Sequence, residues 1–189
     1  FAPRRVLAFH IALRGYPSPE EFMVEKGAPV KIPALYLMGE EDRKPKDIWK
    51  HFLRSRRKES PRAWIWLPGQ GHWPKGMSFE KDETTAEDWK AWAANDVVIP
   101  WTEAVIQLRL AESADPKEGP VKLRNLRVED GWLGDISTGR VAAYRQFEGE
   151  KSTASWFPTE GVAKAWAKFS FPDGSSKRNN EKEPKDSNK

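Results

Sequence analysis

The chain has 189 residues, enough for one domain of ordinary size or a core domain with an appendage, and its start at Phe1 is expected of a processed or truncated piece. It holds no cysteine, which excludes disulfides and thiolate chemistry, and no stretch approaches the roughly 20 apolar residues of a membrane span or the apolar run of a signal peptide. The formal net charge of +4 comes from 32 basic and 28 acidic residues mixed along the chain, which favours a solvated surface over a nucleic-acid footprint. A secreted or periplasmic location would need a signal upstream of Phe1.

Val6 to Leu13 is a near-continuous apolar run of strand length, the pattern of a strand covered on both faces in a parallel sheet. Gly15 to Pro19 ends it in a turn. Ile32 to Met38 predicts a second strand, with Pro33 tolerable at its start, and it runs directly into Gly39-Glu40-Glu41-Asp42. Asp47 to Arg57 has helical spacing, with Ile48, Phe52 and Trp49 inward and basic groups outward. Lys50 to Lys58 is the densest basic run, and without regularly spaced aromatic partners it reads as a solvated helix face.

Ala63 to Leu67 predicts a third buried strand, followed by Gly69-Gln70-Gly71-His72-Trp73-Pro74. Thr84-Thr85 can cap a helix over Ala86 to Ala94, and Pro100 suits the first turn of another over Trp101 to Leu110. After a polar break at Ala114 to Gly119 come extended segments around Val121, Leu123 and Val128, turns over Gly131 to Gly139, and a returning strand over Arg140 to Phe147. Pro158-Thr159-Glu160 then starts a short helix with Val162, Ala165, Trp166 and Phe169 on its apolar side. The resulting division is a core over residues 1–112, a hairpin-plus-helix extension over 113–173, and a disordered polar tail over 174–189.

The ten tryptophans are spread over several predicted elements, so packing is their first reading, with a glycan- or partner-binding surface as the alternative. Of the three histidines, His10 lies inside an apolar run and His51 on the basic helix, where core and surface roles are the ordinary ones. His72 differs, because it leaves a strand end through a Gly-rich loop. Thirty residues separate it from Asp42, room for one helix and one strand, so an acid and a base leave successive strand ends. A serine hydroxyl attacks only when a neutral imidazole takes its proton, and a carboxylate must hold the opposite ring nitrogen. Asp42 suits that role through its short side chain, and Glu41 ranks second.

These segments resemble a known family. Ile32 to Asp42, with its Gly-x-x-Asp ending, resembles the α/β-hydrolase strand that carries the catalytic acid, and Gly69 to His72 resembles that fold's histidine loop. The resemblance covers about Val6 to Ala111. It implies an α/β architecture: the C-terminal part of a mostly parallel hydrolase-type sheet with flanking helices, carrying Asp42 as triad acid and His72 as general base, and closed by a helix over about Thr85 to Leu110. It implies a small ester or peptide substrate cleaved through an acyl-enzyme, with no cofactor, metal, nucleic acid or membrane involved. The family's Gly-x-Ser-x-Gly elbow precedes the acid. Here only Ser18 does so, in Pro17-Ser18-Pro19, and Gly76 to Glu80 matches half the pattern but follows the histidine. The expected nucleophile therefore lies in a missing N-terminal half of the fold, and this chain alone is expected to be inactive. Gly131 to Asp135, Arg140 to Tyr144 and Ser155 to Pro158 resemble the C-terminal extension of some bacterial secreted-type hydrolases. Trp73 and Trp132 are the substrate-contact candidates.

Overall fold

The computed structural model describes residues 10–13, 32–42, 45–56, 60–71, 85–110 and 123–172. Strands β1 (His10–Leu13), β2 (Ala34–Gly39) and β3 (Arg62–Leu67) form a parallel sheet in that order. Its register sets Tyr36 beside both Ala12 and Trp64. Every residue of β2 and β3 is buried, as expected for continuous apolar runs covered on both faces. Helix α1 (Pro45–Arg56) connects these two strands and lays Phe52 against both Tyr36 and Trp64, with ring centroids 5.9 and 5.5 Å apart.

Helix α2 (Ala86–Ala91) starts from a reciprocal cap in which the Asp88 carboxylate accepts the Thr85 N–H at 2.8 Å and Thr85 Oγ1 accepts the Asp88 N–H at 3.2 Å. Helix α3 (Asn95–Arg109) begins earlier than Pro100 predicts, so the proline lies inside it rather than at its first turn. A proline there removes one intrahelical hydrogen bond. Val97, Trp101, Val105 and Arg109 form the buried stripe of α3, whereas Leu108 is 40% exposed.

The second part of the chain departs furthest from the sequence reading. Strands β4 (Trp132–Gly134), β5 (Val141–Ala143) and β6 (Ser155–Phe157) form a separate antiparallel sheet in the order β5-β4-β6. Helix α4 (Glu160–Ser170) follows, N-capped by Thr159, whose side chain accepts the Val162 N–H. The expected architecture, a mostly parallel α/β-hydrolase-type sheet with a hairpin-and-helix appendage, is therefore incorrect. Three of the six described strands are antiparallel and make a sheet of their own. Three-residue strands are too short to display a period of two, so Gly131 to Gly139 reads as turn although it holds the central strand of this sheet.

The two sheets share one core. The outer edge of β3 carries the Trp64 N–H, the Trp64 carbonyl and the Trp66 carbonyl. Ser155 Oγ accepts the first at 2.8 Å and donates to the second at 3.2 Å. Trp166 Nε1 also donates to the Trp64 carbonyl, at 2.9 Å, and Ser170 Oγ donates to that of Trp66 at 3.2 Å. Side chains of β6 and α4 thus stand in for a neighbouring strand and close an edge that would otherwise invite pairing with another chain. No described helix is long and apolar enough to cross a membrane.

Candidate active site

Parallel β2 and β3 release their chains at the same end of the sheet, and two short loops meet there. Glu40 N–H donates to the Leu67 carbonyl at 3.1 Å, and Glu41 N–H to the Gln70 carbonyl at 2.9 Å. The Glu40 carboxylate accepts the Gly69 N–H at 3.1 Å through Oε2. Gly69 has φ of 58°, in the left-handed region that glycine enters without strain. Gly39 allows the close approach: a Cβ there would collide with the carbonyl oxygens of Gly71 and Gln70. The two loops are therefore clasped along Gly39 to Glu41 on one side and Leu67 to Gly71 on the other.

Among the three acids, Glu40 and Glu41 are exposed and Asp42 is half-buried, its own N–H closing a turn onto the Gly39 carbonyl at 3.2 Å. His72 and Trp73 lie outside the described residues, as does Gly76 to Glu80. Gly71, the residue before His72, lies against the Gly39 backbone. Trp132, the other substrate-contact candidate, sits half-buried in β4, paired with Ala143 and Phe157. Among the described residues no hydrogen bond or ring contact joins it to the acidic turn. His10 is in β1 opposite Ala34, and His51 is half-buried on α1 rather than at the surface.

Sequence reasoning missed the part played by Glu40. Its partner is an amide 29 residues away, and only the pairing of β2 with β3 brings the two together. It also misread the basic helix in one respect. Arg56 is 3% exposed and faces the core, donating from Nε to the Ala154 carbonyl at 2.6 Å and from Nη2 to that of Lys151 at 2.9 Å. Four of the tryptophans are likewise core groups: Trp64, Trp101, Trp156 and Trp166 are at most 1% exposed. Comparison of the chain with protein-family models, with curated proteins and with solved structures finds no match.

Proposed function

We propose that this chain carries the acid and the general base of a serine-hydrolase site that cleaves a small ester or peptide through an acyl-enzyme, with Asp42 as acid and His72 as base. The observation that carries this reading is the clasp between the loops, because it ties the segment leading into His72 to the turn that holds Asp42. A base and its orienting carboxylate must keep their geometry while the imidazole gains and loses a proton, and backbone hydrogen bonds between their loops provide that rigidity. Burial favours Asp42 over its neighbours, since it is half-buried whereas Glu40 and Glu41 are exposed. The chain contains no Gly-x-Ser-x-Gly, and the hydroxyl that His72 would activate is assigned to none of its residues.

The test is covalent labelling of the natural full-length protein by a fluorophosphonate probe. Labelling should occur, should disappear in His72→Ala, and should fall by orders of magnitude in Asp42→Asn, as for other removals of a triad acid. Far-ultraviolet circular dichroism should remain unchanged in both variants. Labelling at the native rate in His72→Ala would overturn the assignment.

A further inference from the structure

A second site lies away from this clasp, between α1 and the loops of the antiparallel sheet. Trp49, Phe147, Asp135, Ser137, Glu150 and Thr153 border a cavity of about 300 Å³ there. Its walls are fixed independently. Trp49, Phe52 and Arg56 follow one another at helical spacing on α1. Phe52 stacks on Trp49 at 5.2 Å, and Arg56 holds the 151–154 turn through the carbonyls of Lys151 and Ala154.

The polar side chains of the two loops present mostly acceptors. Ser137 Oγ donates its proton to Asp135 Oδ1 at 2.6 Å, and Thr153 Oγ1 donates to the Glu150 carbonyl at 3.0 Å. Both hydroxyl hydrogens are therefore engaged within their own turns, so these side chains offer the cavity only acceptors. The other polar side chains of these two loops are carboxylates, and Trp49 adds a single indole N–H. Burial pulls the Asp135 carboxyl upward, yet the hydroxyl and N–H of Ser137, with the N–H of Thr138, hold it below the ordinary carboxylate value. The Ser152 N–H does the same for Glu150. Both are ionised at neutral pH. Neither has a cationic partner among the described residues, and the adjacent Lys151 instead places Nζ 4.7 Å from the centroid of the Tyr144 ring.

Two negative charges, a rim richer in acceptors than in donors and two aromatic side chains define a complementary ligand: positively charged, rich in donors, and flat. We propose that this cavity binds a guanidinium group. A guanidinium has five N–H donors, no acceptor, and a plane that packs on aromatic faces. A sugar fits less well, since it brings no charge to meet the two carboxylates. The group can arrive on a free small molecule or on an arginine side chain of a peptide.

Isothermal titration calorimetry on the full chain tests this with argininamide against its neutral isostere citrullinamide. Argininamide should bind at least ten-fold more tightly, and Asp135→Asn and Glu150→Gln should each weaken it by roughly three- to ten-fold. Both substitutions keep an acceptor oxygen, so the turns that shape the cavity persist. A blocked Gly-Arg-Gly peptide that binds as tightly as argininamide supports a peptide ligand, and binding of argininamide alone supports a free small molecule. Equal affinity for argininamide and citrullinamide, no heat at millimolar argininamide, or undiminished binding in the double variant would each overturn the proposal.

Discussion

The side of β3 and its end are closed by different means. Along the side, three buried side chains from β6 and α4 bond backbone groups of Trp64 and Trp66. At the end, closure is made by backbone groups of two loops, with one exposed carboxylate assisting. The first arrangement carries stability, because a buried donor or acceptor left unpaired is costly. The second leaves polar side chains at the surface while fixing the backbone beneath them, which is what a site on loops over a rigid scaffold requires. One strand thus has a side that belongs to the core and an end that is available to function.

The largest effect should come from the sealed side. Trp166 is fully buried, packs on Phe157 at 4.9 Å and Phe171 at 5.5 Å, and donates to the Trp64 carbonyl. Trp166→Ala is expected to cost about 3–5 kcal/mol of unfolding free energy in guanidinium denaturation, the range for deleting a buried large aromatic ring. A loss below about 1 kcal/mol, typical of a mere surface site, would mean that the antiparallel sheet is not held by β3.

The clasped end should respond less in stability and more in local order. Gly39→Ala places a methyl group against the carbonyls of Gln70 and Gly71 in the facing loop, and should cost about 1–3 kcal/mol as overpacking does. Hydrogen exchange at the Glu41 amide should accelerate in this variant, because its acceptor on Gln70 is displaced. Native protection of that amide would mean that the loops do not need the close approach.

These two regions were unequally legible in the sequence. The strands of the parallel sheet showed themselves as apolar runs, Thr85 stands where a cap was expected, and Thr159 caps the helix that Pro158-Thr159-Glu160 was expected to start. The caps are local, so composition within four residues is enough to reveal them. Strand β5 lies inside the returning strand expected over Arg140 to Phe147, whereas β4 and β6 were not legible as strands, because each is three residues long and defined by partners elsewhere in the chain. The same limit applies to the sites. The turns that follow β2 and β3 were recognisable as strand ends from their glycines, whereas Glu40 as a clip and Trp49 beside the same cavity as Glu150 depend on contacts between distant segments.

The smallest effect sharpens the comparison most, since it sets one hydrogen bond against another of similar length. Ser155 Oγ accepts a backbone N–H at 2.8 Å where the residue is fully buried, and Glu40 Oε2 accepts one at 3.1 Å where it is exposed. Ser155→Ala removes the acceptor with no water to replace it, which should cost about 1–3 kcal/mol. In Glu40→Ala, water takes the place of the carboxylate at the Gly69 amide, and the change should stay within about 0.5 kcal/mol. The denaturation midpoints of both variants, measured in one buffer, decide the point. Equal losses would mean that the carboxylate is as necessary to the clasp as Ser155 is to the sealed edge. A negligible loss in Glu40→Ala leaves the backbone bonds of Glu40 and Glu41 as the parts that hold the loops together, and the clasp then stands without help from the Glu40 side chain.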